Sequence, residues 1–290
     1  MQTVRFKQVD VFTARPFWGN PVAVVIDPGE LGAEEMQRIA AWTNLSETTF
    51  VLPASSNRAD YRLRIFSPKQ ELPFAGHPTI GSAHAVIESG FARPRNGTLR
   101  QECLAGDLTL TIEKTGRGQN IMVEAPPPRL AQLDDASAGV LERALGANTV
   151  GRRAARVDVG VVWIIADLGE AKAVGSLKPD MQGLASLSAQ AQAAGATVFG
   201  AADDGVSALH VRSFAPLQGI TEDPVCGSGN GCVAVFIRDT GLIETIGRNY
   251  AASQGFCVGR DGRITVDIAA DGVVKLGGHC VTVVDGSIAA

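Results

Sequence analysis

The chain has 290 residues, with 26 basic against 30 acidic side chains, a formal net charge of −4 and a sequence pI near 5.6. A general nucleic-acid binder carries a basic surplus to displace phosphate counterions, so the charge balance argues against that class. Hydrophobic residues make up 45% and charged ones 19%, a composition that buries a large core, leaves room for two domains and argues against disorder.

In chain order, Met1 to Asp10 is broken by charge before any signal-like apolar segment forms, which argues against secretion and makes the cytoplasm the default address. Met36, Ile39, Ala40 and Thr43 follow the spacing of an amphipathic helix. That helix runs into Asn44-Leu-Ser-Glu-Thr-Thr-Phe50, so Glu47 lies between a helix and an apolar segment. Tyr61 to Phe66 alternates with a period of two, the mark of a half-buried strand. The blocks Arg64-Ile-Phe-Ser-Pro68 and Glu71-Leu-Pro-Phe-Ala-Gly76 follow, then a helix over 78–89 with Pro78 in its first turn and Gly90 closing it. Leu108 to Glu113 is another alternating strand, and Pro126-Pro-Pro128 is the best linker.

Beyond the linker, the apolar run Val159 to Ala166 suits a buried strand and is far too short to span a membrane, which takes roughly 18 residues. An Ala-rich helix from Met181 to Ala194 stops at Gly195. Ala208 to Phe214, Ile264 to Ile268 and Val273 to Leu276 alternate like strands, and a second glycine-led helix runs over about 229–240, closed by Gly241.

The second half echoes the first. Arg212-Ser-Phe-Ala-Pro216 repeats the Arg64 block at an offset of 148 (212 − 64), and Glu222-Asp-Pro-Val-Cys-Gly227 repeats the Glu71 block at 151 (222 − 71). Thr48-Thr-Phe50 matches Thr197-Val-Phe199 at 149 (197 − 48), which sets Glu47 against Ala196. A duplication of this kind fixes architecture more firmly than propensity does. The expected fold is α+β, two pseudo-symmetric lobes, each a curled, mostly antiparallel sheet around a central helix, facing each other across a cleft. The lobes are 1–125, carrying Glu47, and 126–290, whose last strands can pack back on the first.

The five cysteines, Cys103, Cys226, Cys232, Cys257 and Cys280, have no Cys-x-x-Cys spacing and read as reduced thiols. No metalloprotease, Walker or dinucleotide motif is present, and nothing requires a metal or nucleotide. Candidate site residues cluster at the two glycine-rich helix starts, where Gly76, Gly227 and Gly229 leave backbone N–H groups for a carboxylate. Glu47 is either a partly desolvated acid/base, its pKa shifted by burial, or a capping carboxylate. His77 positions a substrate, passes a proton or caps its helix. Asp223 is a substrate contact or a turn former. Ser228 caps the second helix and can also bind an acceptor group. Cys226, opposite Ala75 in the repeat, is either a thiol activated by the helix end or a small buried packing residue.

The ordered set Val9-Asp-Val-Phe12, Gly19-Asn-Pro-Val-Ala-Val24, Leu45-Ser-Glu-Thr-Thr-Phe-Val51, Arg64-Ile-Phe-Ser-Pro68, Glu71-Leu-Pro-Phe-Ala-Gly-His-Pro78 and Glu222-Asp-Pro-Val-Cys-Gly-Ser-Gly229 resembles the PhzF family over nearly the whole chain. These are cofactor-independent isomerases, related in fold to diaminopimelate epimerase. The resemblance implies that Glu47 is the catalytic acid/base, that His77, Asp223 and Ser228 line the substrate site with the two helix starts, and that the protein is a homodimer without cofactor acting on a small carboxylate such as trans-2,3-dihydro-3-hydroxyanthranilate. Cys226 stands where phenazine isomerases commonly have threonine, and Asn230 where alanine is usual. The rival readings are a racemase, epimerase or dehydratase using Cys226, opposed by Ala75 in place of a second thiol, and a non-catalytic binding protein on the same scaffold.

Overall fold

The computed structural model describes residues 3–116 and 118–290. By its internal contacts the chain divides into two units: the chain up to Glu124 with Gly277–Ala290, and Ala125–Leu276. The first unit contains β1 (Thr3–Val11), β2 (Asn20–Ile26), α1 (Ala33–Thr43), β3 (Thr48–Leu52), β4 (Tyr61–Phe66), β5 (Glu71–Leu72), α2 (Gly76–Glu88), β6 (Thr98–Cys103), β7 (Gly106–Thr115) and β8 (Gly118–Glu124). The second contains β9 (Arg129–Gln132), α3 (Asp135–Leu145), β10 (Ala154–Asp158), β11 (Val162–Glu170), α4 (Ala171–Ser176), α5 (Met181–Gln190), β12 (Gly195–Ala201), β13 (Leu209–Ala215), β14 (Ile220–Asp223), α6 (Gly227–Asp239), α7 (Ile243–Ile246), β15 (Asn249–Gln254) and β16 (Gly262–Ile268). The return crossing falls within β17 (Val274–Gly278), and β18 (Cys280–Ala289) pairs with β1 along its length.

Both units follow one pairing scheme. In the first, β1–β2, β3–β4, β4–β5 and β6–β7 are antiparallel; in the second, β10–β11, β12–β13, β13–β14 and β15–β16 are. Each unit also has two parallel pairs, β2–β3 and β4–β6 against β11–β12 and β13–β15. The parallel pairs arise where a helix intervenes, because a crossover helix carries the chain back to the end from which the strand started. The fold is therefore α+β and duplicated, with α2 and α6 as the central helices. Both are buried on nearly every face, from His77 to Val86 in α2 and from Gly229 to Ile237 in α6, as expected of helices enclosed by a sheet.

The ladder register corrects the sequence alignment at one position. Thr48↔Phe66, Thr49↔Ile65 and Phe50↔Arg64 correspond to Ala196↔Phe214, Thr197↔Ser213 and Val198↔Arg212, a uniform offset of 148 (214 − 66 and 196 − 48). Glu47 is thus matched by Gly195, not Ala196. Gly195 is also not a helix stop: α5 ends at Gln190 and Gly195 opens β12. Glycine is required there because an added Cβ would lie 1.9 Å from the carbonyl oxygen of Phe214. The central helices begin two residues earlier than the sequence suggests, at Gly76 and Gly227, with Ala75 and Cys226 as N-caps. Pro78 is then the third helical residue, where its missing N–H is still harmless.

The repeated Arg and Glu of the two halves are partners. Arg64 Nε and Nη2 each donate to Glu71 across 2.7 Å, and Arg212 Nε and Nη2 donate to Glu222 at 3.1 and 2.7 Å. Each guanidinium also lies over a phenylalanine two residues on, Phe66 or Phe214, about 5 Å from the ring centroid. These pairs tie β4 to β5 and β13 to β14, the strands that lead into the central helices. Among the described residues no helix is long and apolar enough to cross a membrane.

Candidate active site

In the first unit the site is built from the turn after α1, the first turn of α2 and the start of β2. Asn44 ends α1 in the left-handed region, with φ 54°, which asparagine tolerates, and directs the chain through Glu47 into β3. His77 is buried in the first turn of α2. Its Nδ1 lies 3.2 Å from Glu47 Oε2, and its Nε2 lies 3.4 Å from the carbonyl oxygen of Pro21 in β2. Glu47 Oε2 is enclosed and, among the described residues, is in no contact with hydrogen-bond geometry, so its closeness to His77 is one of distance and charge. The imidazole suits either form of the acid: Nδ1–H faces a carboxylate, and an Nδ1 lone pair faces a protonated carboxyl. At Gly76 and His77 the first-turn N–H groups have no intrahelical acceptor, whereas Thr79 N–H bonds the oxygen of Ala75.

The second unit has a different constellation at its corresponding turn. Cys226, not Ser228, caps α6: its Sγ accepts the N–H of Gly229 at 3.2 Å. Gly229 is therefore occupied by the cap, and the first-turn N–H groups that lack an intrahelical partner are those of Gly227 and Ser228. Gly229 must also be glycine, since a Cβ would lie 2.6 Å from Thr197 Oγ1. Ser228 Oγ accepts the indole Nε1–H of Trp163 at 2.9 Å and lies 3.6 Å from Cys226 Sγ. Asp223 is half-buried and its Oδ1 accepts the N–H of Val225, the turn-forming geometry expected before Pro224.

A buried amide pair fixes this loop. Gln254 Oε1 accepts from Cys226 N–H at 3.1 Å and from Asn230 Nδ2 at 2.8 Å, while Gln254 Nε2 donates to the oxygen of Asp223 at 3.0 Å. Asn230, singled out in the sequence, also bonds the oxygen of Cys226. Trp163 and Gln254 were not legible as site residues: neither lies in a motif. The shorter β10–β11 turn, three residues against eight between β1 and β2, also breaks the repeat offset just before Trp163.

Burial decides the state of Cys226. Desolvation, followed by the charge of Asp223, pushes its thiol pKa well above the usual value, and the helix-end hydrogen bonds do not offset this. Of the two readings of Cys226, this burial favours the small buried packing residue over the activated thiol. All five cysteines are free thiols.

At the matched positions of the duplicated α+β scaffold only the first half carries a carboxylate, Glu47 against Gly195. A family profile described as phenazine biosynthesis-like protein, PhzC–PhzF, matches residues 9–286, and the chain belongs to that family, whose activity is PhzF-type isomerisation. It is 41% identical over 290 residues to "Antisense-enhancing sequence 1" of Schizosaccharomyces pombe, covering 97% of both chains. It is 34% identical over 254 residues to the trans-2,3-dihydro-3-hydroxyanthranilate isomerase of Pseudomonas chlororaphis, covering 87% of this chain and 86% of that one. The crystal structure of a PhzF-family phenazine biosynthesis protein of Bacillus anthracis superposes with a TM-score of 0.87 at 26% identity over the whole of both chains.

Proposed function

We propose that the protein moves a proton within a small carboxylate substrate without a cofactor, with Glu47 as the single acid/base. The observation that carries this reading is the enclosed Glu47 Oε2 beside His77 Nδ1, 3.2 Å away, in one unit only. Glu47 takes a proton from a carbon made acidic by conjugation, and the same carboxyl returns it to another carbon of the substrate. His77, held by the oxygen of Pro21, orients the carboxyl and matches its two protonation states. Each unit offers groups of its own for the polar atoms of a substrate, the Gly76 N–H in the first and the Gly227 and Ser228 N–H groups, the Ser228 hydroxyl and Asp223 in the second, anions at helix N-termini being favoured by the exposed N–H groups and the dipole.

The substrate proposed is trans-2,3-dihydro-3-hydroxyanthranilate or a related acid, supported by the printed name of the Pseudomonas chlororaphis relative. The active form proposed is a homodimer. Incubation with trans-2,3-dihydro-3-hydroxyanthranilate and related cyclic acids in deuterated water, followed by NMR, tests the reaction. Isomer formation that is absent in Glu47→Gln supports it; a panel that undergoes neither isomerisation nor exchange removes it.

A further inference from the structure

The two units place different chemistry at three matched positions. Val22 and Trp163 correspond through the pairs Val9↔Val22 and Val157↔Trp163, in Val-Asp-Val segments that themselves repeat at an offset of 148 (157 − 9). Glu47 corresponds to Gly195, and His77 to Ser228 (228 − 77 = 151). In the first unit the long His77 ring reaches the β2 backbone itself. In the second the short Ser228 cannot, and the side chain of Trp163 comes to it. On β11 Trp163 is the parallel neighbour of Gly195.

An indole N–H only donates, so it fills a lone pair of Ser228 Oγ and forbids the hydroxyl proton from pointing that way. Among the described residues the other hydrogen-bonding partner of Oγ is Cys226 Sγ at 3.6 Å. If Ser228 donates to sulfur, the bond is a weak one that a carboxylate oxygen readily replaces; if the thiol donates to Ser228, the hydroxyl proton is already turned outward. In both arrangements a ligand meets a donor. We propose that Trp163 is a positioning residue that commits the Ser228 hydroxyl to donating a hydrogen bond to an anionic oxygen of the substrate. The proposal rests on the reading above in which Ser228 binds substrate.

The test is a double-mutant cycle read by calorimetric titration with 3-hydroxyanthranilate, a stable planar carboxylate, using the full chain. Ser228→Ala is expected to weaken binding about tenfold, the loss of one charge-assisted hydrogen bond. Trp163→Phe, which keeps a ring and removes the N–H, is expected to weaken it several-fold in the wild-type background and not at all in the Ser228→Ala background. Replacing Trp163 by 3-benzothienylalanine keeps the bicyclic shape without the N–H, and the same loss is expected, which separates hydrogen bonding from packing. Equal losses for Trp163→Phe in both backgrounds, or wild-type affinity with benzothienylalanine, overturn the positioning role alone. Unchanged affinity in Ser228→Ala overturns it together with the assignment of Ser228 to substrate binding.

Discussion

Glu47 Oε2 and His77 Nδ1 lie 3.2 Å apart, and the residues that correspond to them in the second unit, Gly195 and Ser228, can form no such pair. The duplication thus supplies two matched scaffolds, of which one carries a carboxylate at this position. On the proposed mechanism, Glu47→Gln keeps the shape of the side chain and loses its proton chemistry. Turnover is expected to fall about a thousandfold or more, roughly 4 kcal/mol of transition-state stabilisation, with KM and Tm little changed. Rate assays with thermal melts check this, and activity within a few-fold of wild type removes Glu47 from the mechanism.

Cys226 is expected to behave as a cap and not as a base. Cys226→Ser retains most of the activity, because a serine oxygen accepts the Gly229 N–H as well as sulfur does. Since burial raises its pKa, its thiolate fraction stays small and grows with pH through the neutral and mildly alkaline range. Iodoacetamide should therefore label the exposed Cys257 well before Cys226, with Cys226 labelling still rising, not levelling, as the pH approaches 9. Peptide mass spectrometry reads both sites. Rapid labelling of Cys226 at pH 7, or a thousandfold loss in the serine variant, would restore the thiol-racemase reading.

The duplicated architecture was legible because Arg64, Glu71, Arg212 and Glu222 stand in blocks with near-constant offsets, and their ion pairs explain why those residue types recur. The helix periodicity of Met36 and Ala40 also matches their burial in α1. What the sequence could not show was register. One residue of slip set Glu47 against Ala196, since Thr197 matches Thr48 at 149 as well as Thr49 at 148 and the former also aligns Phe50 with Phe199; the ladder hydrogen bonds give 148. Nor could it show that Cys226 takes the capping role assigned to Ser228, because both can accept an N–H and the choice depends on where the helix starts. Trp163 was hidden because a tryptophan in an apolar strand looks like core until its N–H is seen to meet Ser228 Oγ.

The two arginine–glutamate pairs should differ in worth. The Arg212 and Glu222 side chains are only 8% and 7% exposed, against 25% and 24% for Arg64 and Glu71, and Arg212 Nη1 also holds the oxygens of Val174 and Leu177. Removing one partner of a buried pair leaves an uncompensated charge, so Glu222→Gln is expected to cost about 3–5 kcal/mol. Glu71→Gln, at the more solvated pair, is expected to cost about 1 kcal/mol. Urea unfolding of both variants measures the contrast, and equal losses would show that burial does not govern these pairs.

The asymmetry at Gly195 should resist engineering. A Cβ there would lie 1.9 Å from the oxygen of Phe214 and 2.9 Å from the Cα of Ala215, both backbone atoms of the paired strand β13. Side chains can rotate away from a clash, but a ladder strand cannot retreat without losing its hydrogen bonds, here the pairing of Ala196 with Phe214 and Thr197 with Ser213. Gly195→Ala is therefore expected to destabilise the chain by about 3 kcal/mol or more, at the upper end of overpacking costs. Glu47→Ala, which only removes atoms from the matched position, should be far milder in stability while losing activity. If Gly195→Ala melted within a degree or two of wild type, steric exclusion would not be the reason that the second unit lacks a carboxylate, and Gly195→Glu would become a practical route to a second proton carrier.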